Sequence, residues 1–588
     1  MTRVTETVIT EPVLVYSPTA ELDRLMEELQ QFRRESAAAT LPVPEGVDER
    51  YSNRLSEVSS SQYSARLGPT EEFLDRLEQI DTSSMPFQDR VNAEILKWQL
   101  RSQAESLRFR TWLMPLHIGS GFHIGFARWQ KNRSFDTVQE YDQFIARLQS
   151  FREHTGQQIE LMREGVSAGM TPVREQLVGF ELTVEPFITQ DVTENYFYAP
   201  FLNLPSHFSD AARERILRDG REAISGSLIP GMEDLLEFVE QEYRPGARAA
   251  EGIGALPGGN RYYEWQVRIN TTSDVTPEEL HEFGLELADR YQAEMEEVMG
   301  RTDFEGDFAA FLNHLRTHPD FYVESEEDYV RGLSLVSKRM EEQLYTLFGT
   351  LPKTPYGIVP IPDFIAPRTV WAYYRVGSPG NRAGYHAVNL YDLSMRPTFV
   401  MEPLAFHEGV PGHHLQIMLQ RENDEIPSFR RGTEVGVFVE GWAQYSEWLG
   451  HEAGFYTDPY RHIGRLTFDM LRAGRIVINT GIHAHGWSRD QAIDWLYERI
   501  PFQRQLLVNE VDRHYNGHAY PVTYKWGGEK MHELRSLAEE ALGEHFDQRD
   551  FHDAILKNGS MPLDMLDLQM EEWLNEQLGK LEEEAEEE

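Results

Sequence analysis

Three histidines and a glutamate stand close together in the segment HEGVPGHH, residues 407–414, and a further glutamate, Glu440, follows later in the chain. Imidazole and carboxylate groups are common zinc ligands, and a glutamate beside a ligand histidine is suited to act as a general base. Peptide hydrolysis without a nucleophilic side chain needs a Lewis acid, a base for the attacking water and a group that stabilises the oxyanion. The residue types therefore suggest a metal-dependent hydrolase.

The spacing of the histidines departs from the usual helical motif, in which the two ligands stand four residues apart. Here the second imidazole belongs to His413 or to His414. On an unbroken helix these residues lie about 9 and about 10.5 Å beyond His407, too far for one ion with bonds of about 2.1 Å. The glycines and proline in between disrupt helices. We therefore expect a bulge that returns one imidazole to the side of His407.

The segments LAFHEGVPGHHLQ (residues 404–416) and VEGWAQYSE (residues 439–447) resemble the family called domain of unknown function 885. That family is similar to the gluzincin-type metallopeptidases, among them angiotensin-converting enzyme and the thimet oligopeptidases. In these enzymes an HExGH motif is followed by a glutamate ligand on a later helix. The resemblance extends from about residue 385 to about residue 574 and, more weakly, through the N-terminal helices. It implies a mainly helical, bilobed zincin-like fold with a small β-sheet beside the active-site cleft.

The resemblance also implies a role for each residue. His407 is the first zinc ligand and Glu408 is the general base. His413 is the second ligand, because it follows a glycine as the second histidine does in HExGH, and Glu440 is the third. His414 then supports the site or contacts substrate.

The surroundings of Glu440 support its role independently of the resemblance. Its neighbours in the sequence are mostly apolar, and burying an unpaired carboxylate is costly. A metal ion is a suitable partner. The alternative is that the histidines are ordinary hydrogen-bonded core residues and the glutamates ordinary helix charges.

The segment from Tyr515 to Gly527 resembles the part of the family that carries a tyrosine near a glycine. By that match Tyr524 donates its phenolic hydrogen to the developing oxyanion, the alternative being a core tyrosine at a helix start. His518 and Tyr520 stand where the family has Pro and Gln, and each could bind substrate. Asn479 stands where the family has Asp, a position from which it could orient a ligand histidine.

The composition excludes several classes of protein. Of the 588 residues, 40% are apolar and 26% charged, as in globular proteins, and the absence of cysteine excludes disulfides and thiolate chemistry. A net charge of −41 argues against nucleic-acid binding. The sequence contains no apolar run of bilayer length and no secretion signal, so we expect no membrane association and a cytoplasmic location. The oligomeric state stays open.

Helical periodicity dominates the chain, and Thr276-Pro277-Glu278-Glu279 has the features of a helix start with a capping box. Residues 245–260 are rich in Gly, Pro and Ala and predict a long surface loop, and residues 351–368 predict an extended connection. Residues 385–391 predict a strand, which could pair with substrate along the cleft. We expect one bilobed domain, with a helical N-terminal lobe over residues 1–350, a zinc-binding lobe over residues 351–588 and a frayed acidic tail at residues 582–588.

The favoured function is that of a zinc (Zn²⁺) metallopeptidase that cleaves short peptides. In this mechanism Glu408 takes a proton from the attacking water and Tyr524 stabilises the oxyanion. Two alternatives remain open at this point: hydrolysis of non-peptide amides or esters by the same centre, and a non-catalytic binding protein that keeps a metallopeptidase scaffold.

Overall fold

The computed structural model describes residues 17–37, 53–117, 120–131, 133–249, 251–363, 365–368 and 370–587. Within these ranges the chain is mainly helical and contains one small sheet. The predictions of a mainly helical fold and of a small β-sheet are therefore confirmed.

The helices that precede the sheet are α1 (Pro18–Ala37), α2 (Ser60–Ala65), α3 (Leu67–Glu78), α4 (Phe87–Phe109), α5 (Phe122–Lys131), α6 (Val138–Gln149), α7 (Phe151–Ser167), α8 (Ala199–Leu202), α9 (Asp210–Ala223), α10 (Ile229–Phe238), α11 (Arg244–Gly246), α12 (Gly259–Thr271), α13 (Pro277–Met299), α14 (Phe308–Thr317), α15 (Glu326–Glu341) and α16 (Leu344–Leu347). Two π-helical segments, Ile224–Leu228 and Val239–Tyr243, join α9 to α10 and α10 to α11.

The helices that follow the sheet are α17 (Met401–Glu408), α18 (His413–Glu422), α19 (Ser428–Arg431), α20 (Gly436–Leu449), α21 (Pro459–His483), α22 (Arg489–Tyr497), α23 (Arg504–Gly517), α24 (Thr523–Leu542), α25 (Gln548–Leu556) and α26 (Leu563–Glu587). Short 3-10 helices lie at Thr111–Leu113, Arg174–Leu177, Phe180–Thr183, Glu185–Phe187, Val192–Glu194, Tyr196–Tyr198, Ile253–Ala255, Pro319–Phe321, Ala366–Arg368, Leu393–Met395, Thr398–Val400, Tyr520–Val522 and Gly543–His545.

Helix α13 illustrates how local sequence and packing agree. Thr276 and Glu279 form the predicted capping box, which satisfies backbone N–H groups at the helix start and contributes about 1 kcal/mol. Further along, Gly284 lies against Ile476 and Val477 of α21, where an added Cβ would come within 3.0 Å of either side chain. The two long helices therefore pack closely, and α21 becomes a buried central element of the fold.

The sheet has the strand order β1-β3-β2, with β1 at Tyr356–Pro360, β2 at Ala372–Arg375 and β3 at Gly384–Val388. Strand β3 pairs in parallel with β1 and antiparallel with β2, so both of its edges are occupied. The idea that the strand predicted at residues 385–391 pairs with substrate is therefore wrong, because that strand is central. Strand β2 is an edge strand of the described sheet.

Two further predictions need correction. The segment at residues 245–260 is more than a surface loop: Ile253 is buried, and a Cβ on Gly252 would lie 2.2 Å from the carbonyl oxygen of Ile482 in α21. The acidic end of the chain was predicted to be frayed, but α26 remains helical to Glu587, and residues 582–586 are exposed. Glutamate is a good helix former, which explains why a charged run keeps this conformation.

The largest hydrophobic core contains residues from both sides of position 350, for example Leu287 and Met340 together with Phe406 and Trp442. The division into two lobes stays a prediction. None of the helices in the described ranges combines the length and apolar character needed to cross a bilayer.

His552 is expected to make the fold sensitive to acid. It is buried, donates from Nδ1 to the Leu347 carbonyl oxygen (2.7 Å) and accepts at Nε2 from the Tyr445 hydroxyl (3.0 Å). Burial lowers the pKa of His552 from 6.5 to about 3. Below pH 6.5 the unfolded chain therefore takes up a proton that the folded chain does not, and the stabilisation by neutral His552 is lost as pH falls toward 3.

The test is His552→Gln, measured by urea denaturation at pH 7 and pH 4.5. We expect a loss of about 1–2 kcal/mol at pH 7, from weaker hydrogen bonding and packing. The further loss on acidification should be smaller than in the parent chain by about 2–3 kcal/mol, at about 1.4 kcal/mol per pKa unit. His207→Gln, at an exposed histidine, is the control. Equal pH dependence in all three chains would contradict the prediction.

Candidate metal centre

A break between two helices brings the histidines of the HEGVPGHH segment together. Helix α17 ends at Glu408 and α18 begins at His413, and the Gly412 N–H donates to the Phe406 carbonyl oxygen across the break (2.9 Å). A Cβ on Gly412 would lie 2.1 Å from the carbonyl oxygen of His407, so only glycine fits there. The result is the expected bulge, with the His407 and His413 rings 4.7 Å apart between centroids.

His407, His413 and Glu440 point their ligand atoms at one place. Nε2 of His413 lies 3.4 Å and Nε2 of His407 lies 3.5 Å from Oε2 of Glu440, and the three atoms lie within 4.8 Å of one another. Ligands about 2.1 Å from a tetrahedral zinc ion stand about 3.4 Å apart. All three side chains are buried, and Oε2 of Glu440 has no hydrogen-bond partner among the described residues. The arrangement therefore fits a zinc ion.

The Glu447 carboxylate and the Arg472 guanidinium fix the His407 ring on its Nδ1 side, opposite the ligand atom Nε2. Nδ1 of His407 donates to Oε1 of Glu447 (2.8 Å), and the same oxygen accepts from Nη2 of Arg472 (2.5 Å). This fixes the ring so that Nε2 faces the ligand position. Glu447 follows Glu440 by two helical turns on α20, so the two carboxylates share a face. The seven-residue spacing could have identified Glu447 from the sequence as a neighbour of Glu440. Arg472 lies on α21, and its contact with Glu447 depends on how the two helices pack.

Glu440 is held by a tyrosine from the short 3-10 helix Tyr520–Val522, which directly precedes α24. Its Oε1 accepts from the Tyr520 hydroxyl (2.7 Å), which leaves Oε2 to face the histidines. Helices α20 and α24 approach closely at two glycines: a Cβ on Gly441 would lie 2.5 Å from the carbonyl carbon of Gly527, and one on Gly527 would lie 1.9 Å from the Val437 carbonyl oxygen. Larger residues here would push Tyr520 away from Glu440.

Tyr524 lies in the first turn of α24, and its ring lies over that of His407, with ring centroids 6.0 Å apart and planes nearly parallel. Nη2 of Arg513 donates weakly to its hydroxyl oxygen (3.4 Å), and the guanidinium of Arg475 lies 4.5 Å from its ring. Burial raises the pKa of Tyr524, against the opposing effect of both arginines. The phenol is therefore protonated at neutral pH and has its own hydrogen available to donate.

Glu408 is buried beside the two histidines and lines the cleft. Burial raises the pKa of Glu408, although the nearby His407 and His413 imidazoles oppose this effect. Its Oε2 has no hydrogen-bond partner among the described residues. A carboxyl group in this setting can exchange a proton with a molecule bound in the cleft.

The charges at the ligand position favour a cation. Burial alone would lower the pKa of His407, but its interactions with Glu440 and Glu447 outweigh burial and raise that pKa to about 9. Burial alone would likewise raise the pKa of Glu440, but His413 and His407 hold it well below its ordinary value. The carboxylates that attract a proton to His407 would attract a metal ion in its place.

His414 has no position open for a metal ion. Its Nε2 donates to the Thr354 carbonyl oxygen (3.0 Å), so Nδ1 accepts from the Tyr374 hydroxyl (2.8 Å). Tyr374 belongs to β2 and Thr354 precedes β1, so His414 ties the sheet to α18. Of the two candidates, His413 is the one that the structure brings to Glu440.

Two sequence-based suggestions do not agree with the structure. The Asn479 side chain contacts the Tyr263 hydroxyl, Nδ1 of His514 and the carbonyl oxygen of His518, and none of these is a predicted ligand. The orienting role falls instead to Glu447. The His518 ring packs against Tyr262, and His518 is not among the residues that line the cleft.

The three candidate ligands lie in a cleft of about 1260 Å³. Strand β2 lines one part of it, α21 and α23 line another, and Tyr520 and Tyr524 lie beside the ligands. The 3-10 segments between Arg174 and Phe187 and the end of α5 also border it. The volume exceeds the roughly 300–1,000 Å³ of a site for a drug-sized molecule, so a short peptide can enter.

Comparisons with known proteins give a family and a fold. A family model described as "Bacterial protein of unknown function (DUF885)" matches residues 43–570. The chain is similar to a solved structure of a "putative lipoprotein" from Colwellia psychrerythraea, with a TM-score of 0.84, 23% identity and coverage of 95% of this chain and 99% of that one. It is also similar to a "putative lipoprotein of unknown function" from Shewanella oneidensis, with a TM-score of 0.70, 19% identity and coverage of 95% and 100%. No curated protein matches.

Glu440→Gln is expected to lose stoichiometric zinc, because an amide oxygen is a poorer ligand than a carboxylate. Glu447→Gln should keep the site but bind zinc about 10–100-fold more weakly, since His407 would lose its orienting carboxylate. The measurements are elemental analysis after dialysis and competition with a chelator.

Glu434→Gln is the matched control, since Glu434 is an exposed glutamate that also lines the cleft. It should bind zinc like the parent chain. If all three variants retain zinc equally, these residues do not form the metal site.

Proposed function

We propose that this chain, which belongs to the DUF885 family of bacterial proteins, is a zinc-dependent peptidase that cleaves short peptides. One observation carries the proposal: the ligand atoms of His407, His413 and Glu440 lie within 4.8 Å of one another, next to the buried carboxyl group of Glu408. A binding protein has no need of a proton acceptor at that point, whereas a hydrolase does.

Zinc is the metal that best suits the donors. Two imidazoles and one carboxylate form the ligand set of several catalytic zinc sites, which leave a fourth position open for water or substrate. The chain has no cysteine, so thiolate ligands are excluded. A purely oxygen-liganded ion such as Mg²⁺ or Ca²⁺ would not select two histidines.

The proposed mechanism assigns the proton transfers to Glu408 and the hydrogen bond to the oxyanion to Tyr524. His407, His413 and Glu440 would hold a zinc ion, which would supply Lewis acidity toward water and a carbonyl group. Glu408 takes the proton from the attacking water and later delivers it to the leaving amine. Tyr524 donates its hydroxyl hydrogen to the carbonyl oxygen as negative charge develops there. Glu447 and Tyr520 keep His407 and Glu440 in position throughout.

The edge strand β2 favours peptides over other amides or esters. Residues 372–376 line the cleft, and β2 pairs with β3 on one side while no other strand of the described sheet pairs with its second edge. An extended peptide can add to such an edge through backbone hydrogen bonds, with alternate side chains directed into the cleft. A small ester or acyl amide could not use this feature.

The proposal includes a zincin-like, bilobed arrangement related to the gluzincin peptidases, as the motifs HEGVPGHH and EGWAQYSE suggest. In this view residues 1–350 form one lobe and residues 351–588 form the other. The cytoplasmic location stays a prediction.

Glu408→Gln should keep zinc but lower peptide hydrolysis by at least about 10²–10⁴-fold, the usual contribution of a general base. The assay uses a library of short peptides beside acyl-amide and ester substrates, with zinc measured in the same samples. Glu434→Gln serves as the control and should retain activity. Full turnover by zinc-loaded Glu408→Gln would refute the mechanism, and activity confined to non-peptide substrates would refute the peptidase assignment.

Tyr524→Phe should lower kcat by about 10²–10³-fold while KM changes little, because the lost hydrogen bond forms chiefly in the transition state. Zinc content should stay unchanged, since Tyr524 is not a ligand. Tyr520→Phe gives the contrast: it should weaken zinc binding, because Glu440 loses the hydrogen bond that holds it. A change in KM alone for Tyr524→Phe would contradict the oxyanion role.

A further inference from the structure

Three cations line the cleft on elements other than those that carry the three candidate ligands. Arg128 and Lys131 come from the last turn of α5, and Arg375 comes from the end of β2. All three line the same cleft as His407 and Glu408. Arg128 and Lys131 are exposed, and Arg375 is partly buried.

These cations differ from the other arginines of the cleft in having no anionic partner. Arg475 pairs with Glu510 (2.7 Å) and Arg489 pairs with Asp512 (2.6 Å). By contrast, the side chains of Arg128, Lys131 and Arg375 make no ion pair and donate no hydrogen bond to any residue in the described ranges.

Two of the three cations, Lys131 and Arg375, are near enough to affect one another. Burial lowers the pKa of Lys131, and the positive charge of Arg375 lowers it further. Two like charges held together in this way are relieved by an anion between them. The chain as a whole carries a net charge of −41, and Glu175, Asp363 and Glu434 also line the cleft. Within the described residues none of these carboxylates forms an ion pair with the three cations.

We propose that Arg128, Lys131 and Arg375 form an anion site that selects peptides carrying a carboxylate, either at the C-terminus or on an acidic side chain. This inference rests on the proposed peptidase function. Arginine binds carboxylate through two parallel hydrogen bonds, and the exposed cations on α5 add a longer-range attraction for acidic molecules.

Arg375 is well anchored relative to the metal centre. Its guanidinium lies over the Tyr385 ring, 4.3 Å from the centroid, and Tyr385 is its partner in the β2–β3 pairing. The preceding residue, Tyr374, donates to His414, which adjoins His413 in the sequence. A carboxylate bound at Arg375 would therefore hold a peptide at a fixed distance from the candidate ligands. Recognition of that charge would then position the peptide bond to be cleaved and raise kcat/KM.

The experiment compares four peptides of one sequence, with Glu or Gln at one position and with a free or amidated C-terminus. Binding is measured by calorimetry on the full, zinc-loaded Glu408→Gln chain, and kcat/KM is measured on the parent chain. We expect the most acidic peptide to bind at least about 10-fold more tightly than the neutral one, and the two singly charged peptides to show which carboxylate is recognised.

Arg375→Gln should remove about 10-fold of this preference and Lys131→Gln about 2–5-fold, while binding of the neutral peptide stays unchanged. Arg339→Gln is the matched control: Arg339 also lies over an aromatic ring, that of Phe455 (4.8 Å), but it does not line the cleft. Lys131→Gln changes only an exposed side chain, so it keeps the test valid if Arg375→Gln fails to fold.

The outcomes separate this inference from the proposed function. Equal binding of all four peptides, or binding of none, overturns the anion site, and hydrolysis of neutral peptides by the parent chain would leave the peptidase intact. A charge preference that is lost in Arg375→Gln, weakens in Lys131→Gln and persists in Arg339→Gln supports the anion site even if no peptide is cleaved.

Discussion

The burial of carboxylates around His407 is the constraint on which the rest of this structure depends. Glu408, Glu440 and Glu447 are all buried around His407. A buried carboxylate without a partner is strongly unfavourable. Arg472 forms an ion pair with Glu447, whereas neither Glu408 nor Glu440 has an arginine or lysine within ion-pair distance among the described residues. A divalent cation would balance this remaining charge. This balance of charge is the physical basis of the proposed metal site.

Close backbone contacts are what make this arrangement possible. The turn at Gly412 leaves no room for a side chain, and neither does the crossing of α20 and α24 at Gly441 and Gly527. The first contact brings one imidazole back beside the other, and the second brings the tyrosines of the α24 start to Glu440. Interiors are packed at nearly crystalline density, so a methyl group at any of these positions would shift a ligand by more than a metal site tolerates.

Local chemistry allowed the sequence to predict only part of this. The glycines and proline of residues 409–412 correctly suggested a break, because their effect on a helix is intrinsic. The contact of Asn479 with Tyr263 was not predictable, since it depends on how α21 packs against α12. The central position of β3 was missed for the same reason: strand character is local, whereas strand order is set by the whole chain.

The cleft uses positive charge in two different ways, and the difference follows from burial. Near the candidate ligands, arginines such as Arg472 are buried and each has a carboxylate, because an unpaired buried guanidinium would be unstable. Arg128 and Lys131 are exposed, so they can remain unpaired at little cost, and the partly buried Arg375 lies over the Tyr385 ring. Buried pairs fix geometry and cannot be exchanged for a ligand. The cations without an ion-pair partner are the ones available to bind a negative charge on an incoming molecule. In the proposed anion site they attract acidic peptides to the cleft, whereas the negative charge of the rest of the chain repels such peptides elsewhere.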